Sequence, residues 1–358
     1  MTQLRTVQVL GGGSAGSSAH VRSLAAGLVA RGVRVTVCAP AELDHEYDYL
    51  GVGAHFVPVP RRSDPLSVGA LRAACADADV VHAHGLHAAV RVSLALSGQR
   101  VPLVVTWHTR GHGEGARGRV LRLVERRAVR TAAVVFATCS ELVDRARERG
   151  ARDARLAPLA TPRACAPLGR PDKKRAELGA VERPLLVAVG SLDEHRGYGV
   201  LLDAARRWRA LDPAPLLLIA GEGPQRAPLQ QRIEDEDLPV RLLGRRDDVA
   251  EVLAAADVAV LPSRWEARSV LAQEALRLGV PLVATAVGGM PELVGDAAVL
   301  VPYGDAGALA SAVSHLLSDP ARREELARAG RAQAGMWPSE DDTIAQTLSV
   351  YDEVTGGG

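Results

Sequence analysis

The chain is poor in aromatic residues and lysine, has few cysteines, and has no long apolar run. Only 3% of its 358 residues are aromatic. No apolar run approaches the ~18 to 20 residues that cross a bilayer. The first ten residues alternate between polar and apolar and do not form a signal-peptide core. We therefore expect a soluble, cytoplasmic protein.

The cysteines lack the spacing of a disulfide framework or of a structural zinc site. None of them forms a CxxC pair with another; they are Cys38, Cys75, Cys139 and Cys165. Lys173 and Lys174 are the only lysines, so any phosphate outside that pair has to be held by arginine or by backbone amides. The net charge is +1, whereas a general nucleic-acid binder needs a basic excess. We expect no nucleic-acid partner.

Short apolar runs alternate with longer helical patterns, which is typical of βα units around a parallel sheet. The first series predicts strands at residues 6–10, 33–38, 80–84, 103–106 and 132–137, with helices at 20–30 and 119–130. The second series predicts strands at residues 185–189, 216–220, 240–243, 258–261, 282–284 and 299–301. Such apolar runs indicate strands that are covered on both faces.

A proline-rich stretch separates the two series. Residues 157–171 contain four prolines and no periodicity, which is linker composition. We predict an N-terminal domain over residues 1–165, completed by a last helix over 337–355, and a C-terminal domain over 172–336. Ser339 and Asp342 occupy capping-box positions of that helix. Ligands are expected in the cleft between the domains, beyond the carboxyl ends of the strands.

A glycine turn follows the first predicted strand. Gly11, Gly13 and Gly16 have the GxGxxG spacing of a dinucleotide-binding turn, whose amides face a diphosphate. The second strand ends at Cys38-Ala39-Pro40, without the carboxylate that binds the ribose of NAD or FAD. These cofactors are therefore disfavoured. The turn either accepts another anion or only needs small residues for close packing.

Several histidines lie near two strand ends: His82, His84, His87, His108 and His112. Strand alternation places His82 and His84 on one face, as a metal site could require. Because no carboxylate or cysteine completes a recognisable set, we expect no metal. One or two of these histidines should line the cleft, with His108 best placed. The Asp77-Ala78-Asp79 segment resembles a metal–diphosphate motif, but its position before a strand indicates helix-end and turn residues.

The predicted helix at 119–130 is basic and amphipathic. Arg117 precedes the helix, and the arginines within it are Arg119, Arg122, Arg126, Arg127 and Arg130. The apolar residues between them are Val120, Leu121, Leu123, Val124 and Val129. A helix of this kind can lie on an anionic membrane surface, here the inner face of the membrane. Most such helices are only a solvated face over a core. Both interpretations stay open.

Two carboxylates in the second half have a more specific context. Glu266 and Glu274 are eight residues apart and follow a buried strand that ends in Pro262-Ser263. The first lies in a strand–helix loop and the second in the helix, so both could bind sugar hydroxyls. The helix N-terminus between them could meet a phosphate.

Residues 258–294 resemble the retaining family-4 glycosyltransferases of the GT-B fold. The matching motifs are Asp257-Val258, Pro262-Ser263, Glu266 with Glu274-Ala275, Gly279-Val280-Pro281 and Gly288-Gly289-Met290-Pro291-Glu292. Further matches are Gly16, His20-Val21, residues 79–85, His108, Val189-Gly190 with Leu192, and Gly221 with Gly223. The resemblance implies two facing Rossmann-like domains, with the last helix crossing back to the first.

The resemblance also implies site residues for transfer of a hexosyl unit from a UDP- or GDP-sugar substrate. It implies no further cofactor, no metal, and retained configuration. The catalytic residues would be His108, Glu266 and Arg196. Donor-binding residues would be Gly16, Gly190, Ser191, Arg268, Ser269, Val270 and Glu274. His20 and His84 would lie on the acceptor side, and the acceptor stays open among lipid-linked, sugar and small-metabolite classes.

Three segments depart from the family pattern. Ser191 stands where the family usually has arginine, and Arg196 stands where it has lysine. Residues 267–269 replace a glycine loop that closes on the hexose, and residues 159–162 replace the usual Asn-Gly-Val-Asp. Two alternatives stay open. These departures motivate a catalytically impaired binding or scaffold protein, and the two-domain architecture is shared with nucleotide-sugar 2-epimerases.

Overall fold

The computed structural model describes residues 3–12, 15–61, 64–110, 115–160 and 170–356. The chain divides into two compact units. Unit 1 comprises the described parts of Met1–Pro162 and Pro338–Gly358, and unit 2 comprises those of Arg163–Trp337. Gly13, His112, Cys165 and most of the proline-rich stretch lie outside the described residues.

Unit 1 is built on a parallel sheet of seven strands. They are β1 (Arg5–Leu10), β2 (Arg34–Ala39), β3 (His55–Pro58), β4 (Val80–His84), β5 (Leu103–Trp107), β6 (Val134–Ala137) and β7 (Ala154–Leu156). Their order is β3-β2-β1-β4-β5-β6-β7. The connecting helices are α1 (Ala15–Ala30), α2 (Ala41–Tyr47), α3 (Pro65–Ala74), α4 (Leu86–Ala95), α5 (Gly115–Thr131) and α6 (Ser140–Glu148).

Unit 2 repeats this plan with six parallel strands in the order β10-β9-β8-β11-β12-β13. The strands are β8 (Leu185–Val189), β9 (Leu216–Ala220), β10 (Val240–Gly244), β11 (Val258–Leu261), β12 (Leu282–Thr285) and β13 (Val299–Val301). A 3₁₀ turn covers Glu194–Arg196. The helices are α7 (Pro171–Leu178), α8 (Tyr198–Trp208), α9 (Arg226–Asp235), α10 (Val249–Ala254), α11 (Val270–Leu278), α12 (Met290–Val294), α13 (Ala306–Ser318) and α14 (Pro320–Gly335).

The last helix, α15 (Glu340–Gly356), belongs to unit 1 although it follows unit 2 in the sequence. Ile344, Val350 and Tyr351 are buried in the core of unit 1. The predicted capping box is confirmed, since the Ser339 amide donates to Asp342 and the Asp342 amide donates to Ser339 Oγ. The apolar side of α15 thus completes a core that the first 160 residues leave open.

The two sheets each reverse their strand order at one point, between β1 and β4 in unit 1 and between β8 and β11 in unit 2. In open parallel sheets, ligands bind beyond the carboxyl ends of the strands at such a point. Two strands, β3 and β7, are not predicted by the apolar pattern of the sequence, and both lie at the edges of the unit 1 sheet. Both are short, and β3 ends in Pro58, so neither shows the apolar run of a central strand.

Candidate functional site

Three loops at the carboxyl edge of unit 2 are joined by backbone hydrogen bonds. They cover residues 190–197, 221–223 and 262–269, and are called here the unit 2 edge loops. The Leu192 amide donates to Glu222 O at 2.9 Å. The Arg264 amide donates to His195 O at 2.8 Å. The loops therefore form one connected surface at the strand-order reversal.

Close approach makes glycine necessary at two positions of these loops. A Cβ on Gly221 would lie 1.9 Å from Gly190 O, and one on Gly197 would lie 2.0 Å from Pro262 O. Gly197 also has φ +72°, a conformation that side chains disfavour. The Gly190 and Gly221 motifs are thus explained by backbone packing that brings the loops together.

Replacing Gly197 by alanine is expected to lower the free energy of unfolding by about 2 to 4 kcal/mol, because of the clash with Pro262 and the positive φ. Urea denaturation measures this change. Gly199 lies two residues further on in α8, where an added Cβ meets no atom within 4 Å. Gly199→Ala should keep or raise stability, and equal losses in the two variants would contradict the loop packing described here.

Glu266 is fixed by two side chains. Ser263 Oγ donates to Glu266 Oε1 at 2.8 Å, and the Arg196 guanidinium forms an ion pair with the same oxygen. Only 11% of the Glu266 side chain is exposed. Thr285 Oγ1 donates to Ser263 O at 2.6 Å and holds the loop from β12. Two residues predicted to be catalytic, Glu266 and Arg196, are therefore in direct contact.

The remaining predicted residues after β8 lie beside this pair. A Cβ on Gly190 would be 3.6 Å from Arg196 Nε, so Gly190 adjoins the guanidinium. Ser191 is exposed on the same loop. Arg196 thus brings positive charge to the loop where Ser191 carries none.

Helix α11 starts directly after the loop that carries Glu266. Ser269 is its N-cap and accepts a hydrogen bond from the Ala272 amide, and Val270 is its first residue. Glu274 lies in the second turn and is half-buried. It forms no hydrogen bond or ion pair with any described residue, and burial raises the pKa of its carboxyl, opposed by the Arg277 charge.

Arg268 lies against an aromatic ring. Its guanidinium carbon is 5.9 Å from the centroid of Trp337, and that of Arg277 is 5.6 Å from the same centroid. Trp337 Nε1 donates to Leu293 O at 3.1 Å, which orients the ring. These cation–π contacts hold Arg268, just before α11, and Arg277, within α11 and one turn beyond Glu274, against the same ring.

Four histidines of unit 1 form a group, the histidine cluster, made of the buried His20, His82 and His84 and the half-buried His108. The ring centroids of His82 and His84 are 4.2 Å apart. His20, His84 and His108 are 5.7 to 6.0 Å from one another. The structure thus brings together His20 on α1, His84 on β4 and His108 directly after β5, which the sequence predicted from separate motifs.

Polar side chains around the histidine cluster hold its rings. His82 shares hydrogen bonds with Tyr351 Oη at 2.7 Å and Thr106 Oγ1 at 2.6 Å. His84 Nε2 donates to Gln8 Oε1 at 3.0 Å. Burial lowers the pKa of His20 to about 3 and that of His108 to about 4, and the pKa values of His82 and His84 are also lowered well below 6.5. All four rings are therefore neutral near pH 7.

The other sequence motifs of unit 1 have structural roles. Asp79 binds the backbone amide and the guanidinium of Arg5, which agrees with its interpretation as a turn residue. Gly11 lies against α4, since a Cβ there would be 2.8 Å from His87 Nδ1. Gly16 lies in the first turn of α1. Among the residues the structure describes, no three His, Cys, Asp or Glu side chains are grouped as a metal site.

Two family models together cover most of the chain. Residues 15–161 match the glycosyl transferase 4-like domain, and residues 170–333 match the glycosyl transferases group 1. A glycogen synthase of Mycobacterium tuberculosis is 31% identical over 297 residues, covering 76% of this chain and 68% of that protein. The chain belongs to the family-4 glycosyltransferases.

Other relatives agree with this assignment. A 2-deoxystreptamine N-acetyl-D-glucosaminyltransferase of Streptomyces fradiae is 32% identical over 208 residues. That alignment covers 54% of this chain and 49% of that protein, so this chain spans about half the length of the Streptomyces enzyme. Anabaena HepE, solved in complex with UDP-glucose, superimposes with a TM-score of 0.84 at 21% identity, covering 97% of this chain and 100% of that chain. This similarity shows that the glycosyltransferase has the GT-B fold.

Several supporting residues of this family-4 glycosyltransferase were not identified from the sequence. Thr285 binds Ser263, which in turn binds Glu266, whereas Gln8 and Tyr351 bind rings of the histidine cluster. These three residues lie 22 to 269 positions from their partners in the sequence. No local pattern indicates such pairs. Trp337 is the exception, because a lone tryptophan before Pro338 marks the point where the chain leaves unit 2.

Proposed function

We propose that this glycosyltransferase moves a hexosyl unit from a UDP- or GDP-sugar to its acceptor with retention of configuration. The observation that carries the proposal is the arrangement of Glu266, held by Arg196 and Ser263, directly before the N-terminus of α11. Glu274, half-buried on the same helix, supplies a second carboxylate. The complex of the structural neighbour HepE with UDP-glucose supports this donor class.

Each donor group has a matching element in unit 2. The Glu274 carboxylate accepts hydrogen bonds from the ribose hydroxyls, and Glu266 accepts them from the hexose. The amides of Ser269 and Val270 at the N-terminus of α11 and the Arg196 guanidinium are proposed to bind the diphosphate, since helix N-termini and cations both stabilise anions. The Gly16 amide is a further group of the proposed donor site. These groups carry the charge of the leaving diphosphate, so we propose that the reaction needs no metal ion.

The reaction follows a front-face course. The glycosidic bond to the diphosphate breaks, and the acceptor oxygen bonds to the same face of the anomeric carbon while its proton passes to the departing phosphate oxygen. We propose that His108 acts at the reacting carbon and that His20 and His84 act on the acceptor side. The His108 ring is neutral near pH 7, because burial lowers its pKa to about 4. The acceptor class is a lipid-linked molecule, a sugar or a small metabolite. The described cysteines Cys38, Cys75 and Cys139 are buried in the core. Buried thiols are typical of proteins from reducing compartments, and we propose a cytoplasmic location.

Thermal shift with UDP, GDP and uridine tests the donor side. A diphosphate nucleotide present at about a hundred times its Kd should stabilise the protein by about 2.7 kcal/mol and raise Tm by a few degrees, whereas uridine should act weakly. NMR of the sugar released from the binding donor then gives its anomeric configuration. Absence of any shift at millimolar nucleotide, or an inverted product, would contradict the proposal.

One observation favours a second candidate, an impaired binding protein. Arg196 already pairs with Glu266, and the neighbouring Ser191 brings no charge to the diphosphate. Slow donor hydrolysis that is lost in Glu266→Ala would exclude this candidate. A nucleotide-sugar 2-epimerase would instead release an epimerised sugar without any acceptor, so analysis of the same products separates it from a transferase.

A further inference from the structure

Helix α5 of unit 1 carries aliphatic side chains on its solvent face. Val120 is 61% exposed and Leu123 is 65% exposed. Their positions in the helix place them on the side opposite Glu125 and Ala128, which are fully buried. The aliphatic groups therefore face away from the core that the helix covers.

The same solvent face has positive charge and no negative charge. The exposed arginines of the helix are Arg119, Arg122, Arg126, Arg127 and Arg130. The single acidic residue of α5, Glu125, is fully buried and binds Arg145 at 2.8 Å and Arg149 at 2.7 Å on α6. The fold thus removes the only carboxylate of the helix from its surface.

The adjoining helices extend this surface. Helix α4 packs beside α5, with Arg127 Nε donating to Ser93 Oγ at 3.2 Å, and its Leu94 is 41% exposed. Neither α3 nor α4 contains an acidic residue. The acidic residues of helix α6 each lie within 4 Å of an arginine: the half-buried Glu141 of Arg110, and the exposed Asp144 and Glu148 of Arg147 and Arg149.

We propose that the outward face of α5, with Val120, Leu123 and its five exposed arginines, docks unit 1 onto an anionic phospholipid surface. Aliphatic side chains at this position can enter the headgroup–acyl boundary, while arginines reach the lipid phosphates. Each basic residue near such a surface contributes about a fivefold gain in affinity. The inference is independent of the proposed sugar donor, because it rests on a face of unit 1 alone.

The aliphatic character of the face favours lipid over nucleic acid. Proteins that bind single strands combine basic grooves with aromatic side chains on which bases stack. Helix α5 contains no aromatic residue. Val120 and Leu123 have no role in phosphate binding, and burying each of them in lipid contributes about tenfold in affinity.

Vesicle co-sedimentation tests the proposal. Wild-type protein should bind vesicles of phosphatidylcholine with about one third phosphatidylglycerol, and should not bind phosphatidylcholine alone. The triple variant Arg119→Gln, Arg126→Gln, Arg130→Gln should lose about a hundredfold in affinity. A matched triple variant at the exposed Arg34, Arg207 and Arg328 removes the same charge and should bind nearly as wild type.

A second variant isolates the apolar contribution. Val120→Ser with Leu123→Ser leaves the charge unchanged and should lose about a hundredfold in affinity. Thermal shift with UDP should be the same in all these variants, so a failure of the donor proposal shows separately. The inference would be overturned if the wild type did not bind anionic vesicles, or if the two arginine triple variants lost affinity equally. It would also be overturned if binding depended on salt but was unchanged by the Val120 and Leu123 substitutions. That last result would indicate a purely ionic partner such as nucleic acid.

Discussion

Replacing Glu274 by alanine is expected to reduce the affinity for UDP or GDP between about a hundredfold and ten-thousandfold. The variant loses two charge-assisted hydrogen bonds to the ribose, and each of them contributes about 1.5 to 3 kcal/mol to binding. The Glu274 carboxylate makes no hydrogen bond or ion pair with the part of the chain that the structure describes, so its bonding capacity is open to a ligand. Isothermal titration with the nucleotide measures the loss.

Glu274→Gln and a distant control make the result specific. The glutamine variant keeps the volume and removes the charge, and should lose most of the same affinity. Glu324 is exposed on α14, and Glu324→Ala should bind as wild type. Burial raises the pKa of Glu274, so its carboxylate is protonated at a higher pH than an ordinary carboxylate. As the pH is lowered, the nucleotide affinity should therefore begin to fall earlier. Unchanged affinity in Glu274→Ala would remove the basis for the proposed donor site.

Lowering the pH from about 7.5 to about 5.5 is expected to remove about 5 kcal/mol from the free energy of unfolding of unit 1. The four rings of the histidine cluster have pKa values lowered by burial, whereas in the unfolded chain they titrate near 6.5. The unfolded state therefore binds more protons as the pH falls below 6.5. Each histidine costs about 1.4 kcal/mol over this range, and the loss continues towards the folded pKa values of about 3 and 4.

Hydrogen exchange at several pH values measures this effect within one chain. Strand β4 carries His82 and His84, and His108 directly follows β5. The amides of these two strands should lose protection steeply between about pH 7 and pH 5.5 after correction for intrinsic exchange. The amides of β8 and β11 in unit 2 serve as the internal reference. A similar pH dependence in both units, or none in unit 1, would show that the cluster does not control acid stability.

The positions of the site loops could be predicted from the sequence, whereas their contacts could not. Pro262-Ser263, Glu266 and Glu274 follow a strand whose apolar run is unambiguous, so their place at the carboxyl edge follows from parallel-sheet geometry. The ion pair between Glu266 and Arg196 spans 70 positions and depends on how the loops after β8 and β11 pack. The same holds for Arg268, whose contact with Trp337 involves residues 69 positions apart in sequence.

The alternation of strands and helices, the two-domain plan and the family can be predicted from the sequence alone, because apolar runs and glycine turns are local signals along one strand or loop. The three-dimensional structure is needed to show that His20, His82 and His84 are buried beside His108, and that Tyr351 of α15 binds His82. It also shows that Glu125 faces Arg145 and Arg149 rather than solvent. Burial and pairing depend on which distant side chains meet, and charge in the interior is stabilised only by such partners.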